Sequence, residues 1–172
     1  MRFKIGTQSQ INAPISTVWN IIADFPNYSS WNPTTPEMRL VQPIGATQFI
    51  FRKVQIGKLK VSMRSWLKSF EPPYEMSWGT NWIIIRYERS QTLRWIDDAN
   101  TQYTTQVNMS GLLAPLLFRL LRKKLRIDHQ LQVNGLKSWA EQMSPAHTPG
   151  TETDPQRPKP VIKIRPIPKT TV

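Results

Sequence analysis

Two charged residues stand where a helix would be expected to show an apolar stripe. Lys124 and Asp128 lie four apart in the segment from Gly111 to Met143, GLLAPLLFRLLRKKLRIDHQLQVNGLKSWAEQM. At helical spacing they point in nearly the same direction as Leu117 and Leu121, and Gly135 falls on the same line. Three readings of the pair stay open. The charges snorkel from the edge of the stripe to water, or they form a buried ion pair tying the helix to its support, or they are the polar groups of a cavity that Leu117 and Leu121 also line. Gly135 leaves space or lets another backbone approach. The remaining residues suited to a binding wall are aromatic. Trp31, Trp66, Trp78, Trp82 and Trp95, with Tyr74, Tyr87, Phe49, Phe51 and Phe70, fall in or beside strand-like stretches. Ordinary core is the plain reading of each, because a sheet and one helix need large side chains between them. The sharper reading makes Trp66 and Trp78, with Leu117, Leu121, Lys124 and Asp128, the walls of a pocket for a planar or lipid-like molecule.

Other chemistries find little support. There is no cysteine, which removes disulfides and thiolate metal sites and fits a reducing, cytoplasmic compartment. Of the two histidines, His147 lies beyond the long helical segment, so no metal site is expected, and no cofactor either. His129, about one third of a turn from Asp128, reads as a solvated residue toward the polar face. Neither a P-loop nor a Gly-rich dinucleotide turn is present among the seven glycines. Asp97 and Asp98 suit a turn better than acid–base work. Arg64, Arg86 or Arg94 could bring charge from strands, but this is too little to assign a catalytic residue, and the sequence leaves open whether the protein is an enzyme.

The elements that must position these residues follow from periodicity. Phe3, Ile5, Thr7, Ser9 and Ile11 alternate with polar neighbours, predicting a strand over 2–12. Pro14 opens a short helix with Val18, Ile21 and Ile22 inward and Trp19 opposite them. Asp24 braces the loop that follows, and Trp31 plugs it. Strands are predicted over 37–44, 46–56, 58–70, 74–80, 83–96 and 101–110, with Gly45 and Gly57 as turns. That makes about seven strands, mostly in meander order, although Ile83-Ile84-Ile85 breaks the alternation. The helix from Pro115 to Met143 would be roughly 40 Å long, with Leu117, Leu120, Leu121, Leu125, Leu131 and Trp139 on its inner face.

Two separated stretches carry a family resemblance. INAPISTVWNIIADFPNYSSWNP, residues 11–33, resembles the opening signature of the START-like polyketide cyclase/dehydrase proteins of the SRPBCC superfamily. SGLLAPLLFRLL, residues 110–121, resembles the entry to that family's C-terminal helix, and the likeness extends over about residues 3–143. It implies an α+β helix-grip fold. In that fold a curved antiparallel sheet, here in the order β-α-α-β6-α, wraps a long C-terminal helix and encloses an apolar cavity. Uses of that cavity in the superfamily run from binding lipids, hormones or polyketides to promoting aldol cyclisation and dehydration, so the fold alone does not give the function.

Net charge is +12. It suits an anionic partner, and the run Arg119, Arg122, Lys123, Lys124, Arg126 between leucines suits a membrane surface. Nucleic acid is disfavoured, since no recognition motif is visible. The expected domain spans 1–144. Residues 145–172 hold seven prolines and no aromatic residue, which predicts an extended or disordered basic tail. The leading expectation is a binder of a hydrophobic small molecule, with a cyclase-type enzyme and a peripheral membrane or interaction module as alternatives. Oligomeric state is not set by the sequence.

Overall fold

The computed structural model describes residues 2–41, 49–56 and 59–144. The expected turns at Gly45 and Gly57 and the tail 145–172 lie outside the described residues.

Period-two alternation becomes a single antiparallel sheet of seven strands: β1 (Arg2–Ile11), β2 (Glu37–Val41), β3 (Phe49–Ile56), β4 (Leu59–Glu71), β5 (Glu75–Asn81), β6 (Arg86–Asp97) and β7 (Asn100–Ser110). The spatial order is β1-β7-β6-β5-β4-β3-β2, a meander from β2 to β7 with β1 returning beside β7. The β1–β7 register is unbroken from Arg2 opposite Ser110 to Ile11 opposite Thr101. Between Leu67 and Ser69 the β4–β5 register shifts. An extra residue there swaps the faces, so Leu67 and Phe70, three apart, both reach the core.

Ile83-Ile84-Ile85 is a turn rather than the start of a strand. Trp82 and Ile85 exchange backbone hydrogen bonds of 2.9 and 3.3 Å, which leaves Ile83 fully exposed at the tip. Helix α1 (Ile15–Ala23), a single 3-10 turn (Phe25–Asn27) and α2 (Tyr28–Trp31) form the β1–β2 connection. Asn27 Nδ2 donates to Asp24 at 2.8 Å, bracing this loop, and Trp31 is buried in it. Trp19 is buried with Val18, Ile21 and Ile22, contrary to the sequence expectation; it packs on Phe70 with ring centroids 5.3 Å apart. The bulge delivers Phe70 to the far side of α1, so that helix is covered on two faces.

Helix α3 (Ala114–Met143) crosses the concave face against β1 and β7. Its fully buried residues are Ala114, His129, Gln132, Val133, Leu136 and Ala140. Leu120, Leu131 and Trp139, expected inward, are exposed. Under this helix the interior has two separate apolar clusters. The larger joins α1, α2 and the C-terminal half of α3 to the sheet through Ile11, Trp31, Met76, Trp78 and Leu136. The smaller, built on Ile85, Val107, Met109 and Ala114, is extended by Phe3 stacked on Phe118 at 4.7 Å.

Candidate functional site

Against the smaller cluster, under the N-terminal half of α3, lies a cavity of about 200 Å³. Leu117, Leu121, Lys124, Leu125, Asp128 and His129 face it from the helix. Residues one helical turn apart recur on one side, which is why these six share a wall. From the sheet come Arg52 on β3, Met63 on β4, Thr80 on β5, Tyr87 and Arg89 on β6 and Met109 on β7. Thr34 and Thr35 close one end. Trp82 lines the cavity while remaining largely exposed, so it marks the mouth. The wall is mainly apolar, with its polar groups collected where β3, β6 and α3 converge.

Four of the six sequence-derived candidates meet here. Leu117, Leu121, Lys124 and Asp128 all line the cavity, and the last two form an i, i+4 ion pair within it. The two tryptophans do not join them. Trp66 is 38 % exposed on the outer side of β4, since Met63 and Ser65 take the inward positions. Trp78 is buried in the larger cluster rather than at the cavity wall. Arg64, Arg86 and Arg94 are exposed, so they bring no charge to the cavity.

The charges that do reach it are Arg52 and Arg89, only 3 % and 6 % exposed. Arg52 Cζ lies 5.2 Å from the centre of the Tyr87 ring, and its Nη2 is 4.0 Å from Met63 Sδ. Arg89 donates through Nη2 to Gln132 Oε1. Gln132 in turn donates to the Tyr103 hydroxyl at 2.8 Å, and Gln91 links the Tyr103 and Tyr28 hydroxyls at 2.7 and 2.8 Å. This buried network separates the larger cluster from the cavity and fixes the inner side of Arg89. Burial raises the Tyr28 and Tyr103 hydroxyls above their ordinary range. Tyr87 behaves differently. Burial pushes its phenol up, but the charges of Arg52 and Arg89 and hydrogen bonding with both outweigh that, and the phenol sits below its ordinary value.

His129 is the second correction. It is 1 % exposed, not solvated, and neither ring nitrogen has a hydrogen-bond partner. Burial, and then the charge of Arg89, pushes it down to about 3, so it is a neutral imidazole near pH 7. The site therefore offers one neutral imidazole with a free donor and a free acceptor, an acidified phenol and two guanidinium groups. Such a set can hold an oxygen-bearing group, stabilise negative charge on it and exchange a proton with it. Among the described residues no group of acidic and histidine side chains is arranged to hold a metal ion.

Arg52 and Arg89 are not singled out by the sequence, and Tyr87 stands there only as one aromatic among many. Ile50–Arg52 and Tyr87–Arg89–Gln91–Leu93 each share a face by alternation, but both faces of β6 carry polar residues, so alternation alone does not say which is concave.

A curved meander gripping a long C-terminal helix above such a cavity is the helix-grip architecture of START-like proteins. The chain belongs to the family described as polyketide cyclase/dehydrase and lipid transport, whose model matches residues 2–141. Solved structures share the fold at low identity. The Zhui aromatase/cyclase of Streptomyces sp. R1128 aligns with TM-score 0.72 and 14% identity, over 85% of this chain and 98% of that one. A START superfamily protein of Mycobacterium smegmatis aligns with TM-score 0.65 and 13% identity, over 82% and 99%. Truncated norcoclaurine synthase of Thalictrum flavum aligns with TM-score 0.62 and 5% identity, over 81% and 93%. No curated protein sequence matches the chain significantly.

Proposed function

We propose that the protein binds a hydrophobic small molecule, lipid-like or polycyclic aromatic, in the cavity between the sheet and the N-terminal half of α3. The observation that carries this is the cavity itself, whose apolar walls are Leu117, Leu121, Leu125, Met63, Ile85 and Met109. Native mass spectrometry of the purified protein, followed by denaturing extraction, tests it. A lipid or aromatic metabolite should co-purify, and Leu117→Trp, which adds bulk where the ligand would lie, should release it while the protein stays folded. Retention of the same molecule by a folded Leu117→Trp protein would place the ligand elsewhere.

A cyclase-type reaction on the bound molecule is the second reading, favoured by Tyr87. Two guanidinium groups would stabilise enolate charge on a substrate oxygen, with the acidified phenol as proton donor. Turnover lost in Tyr87→Phe with binding intact would support it; no conversion of any bound compound would leave binding as the whole function.

The third reading concerns where the ligand comes from. The Trp82–Ile84 turn is exposed and is joined to the start of α3 by Leu113 N–H donating to Ile84 O at 3.2 Å. Leu112, just before α3, and Leu116 and Leu120 in its first turns are exposed, and Arg119, Arg122, Lys123 and Arg126 are exposed on the same helix. Apolar side chains near a cavity mouth with basic residues beside them suit docking on an anionic membrane. Among the described residues no helix is long and apolar enough to cross one.

A further inference from the structure

Charge is not balanced at the polar end of the cavity. Three cationic side chains, Arg52, Arg89 and Lys124, line it against a single carboxylate, Asp128, and that carboxylate is taken up by Lys124. Asp128 acts on Arg89 only by charge at a distance. Neither arginine forms an ion pair among the described residues, and each leaves its Nε without a hydrogen-bond partner although nearly all of the side chain is buried. Removing a guanidinium from water without a counter-ion is costly, and folds normally avoid it by pairing the charge. Here the two arginines converge instead on one place, the Tyr87 hydroxyl, from β3 and β6. Beside them His129 also lines the cavity, and neither of its ring nitrogens has a hydrogen-bond partner. The rest of the wall is mainly apolar, with Thr34, Thr35 and Thr80 as its other polar side chains.

We infer that the cavity takes an amphipathic ligand whose apolar body lies along Leu117, Leu121 and Leu125 and whose carboxylate is held between Arg52 and Arg89. The inference rests on the proposed binding function and specifies its ligand class. A carboxylate offers lone pairs to both guanidinium forks and to an imidazole N–H at once, and it restores charge balance where the fold leaves a surplus. A neutral ligand, an alcohol or an ester, would fill the same apolar wall while leaving both guanidinium charges buried and uncompensated.

The test compares dodecanoate with dodecanol, which share a chain and differ in the head group. Binding to purified, delipidated full-length protein is measured by titration calorimetry near neutral pH, below the micelle threshold. Dodecanoate should bind about tenfold more tightly or better, as expected when a charge-assisted hydrogen bond separates the two ligands. Arg52→Met and Arg89→Met should each shrink the ratio of dodecanoate to dodecanol affinity. Equal binding of the two compounds to the wild-type protein would overturn the carboxylate assignment and leave the cavity as a hydrophobic site. Failure of both to bind would overturn the assignment, while the binding function itself stands or falls on the co-purification test. If the arginine variants do not fold, the wild-type comparison decides alone. A tyrosinate absorbance band at neutral pH that disappears in Tyr87→Phe would also overturn the assignment, because the cavity would then carry its own counter-ion.

Discussion

An imidazole buried without partners lowers the stability of a fold whenever the unfolded chain can take up a proton at that position. His129 is held neutral down to about 3, whereas in the unfolded chain it protonates near 6.5. Below 6.5 the unfolded state therefore binds the extra proton and the native state does not, so stability falls as pH falls, by about 1.4 kcal/mol per pH unit at the steepest. Glu37 and Glu141, both held below the usual carboxylate value of 4.5, add their own loss only at lower pH. Between 6.5 and 4.5 the slope should belong largely to His129. Urea unfolding at several pH values should show that slope in the wild type and a flatter line in His129→Gln; parallel lines would mean that the imidazole is not held neutral. The same residue shows what a sequence can hide. A helical wheel drawn from apolar identity places Leu120 and Leu131 inside and His129 outside. The buried stripe of α3 instead passes through His129 and Gln132, and for Gln132 the reason is that the sheet opposite presents Arg89, Gln91 and Tyr103 as partners.

At the scale of elements, Gly135 decides where α3 can lie. A Cβ at that position would collide with the carbonyl oxygen of Trp31, at the end of α2, so glycine lets the helix touch the α1–α2 loop backbone directly. Gly135→Ala should destabilise the protein by at least about 2 kcal/mol, as overpacking of a closed contact does. The helix would have to lift from α2, so the loss should appear as a lower thermal midpoint with helix content retained. A variant as stable as the wild type would show that α3 shifts freely. Part of this was legible in advance: Gly135 falls on the same line of the helix as Leu117 and Leu121, where it leaves space or lets another backbone approach. The strands were legible too, from alternation in β1 and β7 and from the breaks at Pro72-Pro73 and Asp97–Asn100. The face each strand turns inward was not. It depends on the Leu67–Ser69 register shift and on long-range pairing, and these put Trp66 outside and Arg52 inside.

On the scale of the whole molecule, the exposed turn at Ile83 and the leucines at the start of α3 make one end apolar near the mouth marked by Trp82. If that end meets an anionic membrane, the full-length protein should sediment with vesicles containing phosphatidylglycerol far better than with pure phosphatidylcholine. Ile83→Asp combined with Leu112→Asp should remove most of that binding, and salt should weaken it. Undiminished binding by the double variant would assign any membrane affinity to another basic segment. The interior adds a different consequence. The apolar core is in two bodies, one anchored by Leu136 and Trp78 and a smaller one, around Val107 and Met109, that lines the cavity. Two bodies joined mainly by backbone and by a ring of polar groups need not open together. Without a ligand, amide hydrogens over 114–125 and around Ile85 should exchange faster than those over 132–140, through local opening of the smaller body. A molecule that fills the cavity packs on the smaller body, through Ile85, Met109, Leu117 and Leu125, and exchange there should then slow toward that of the larger one. The ligand would complete the cooperativity of the fold as well as occupy it.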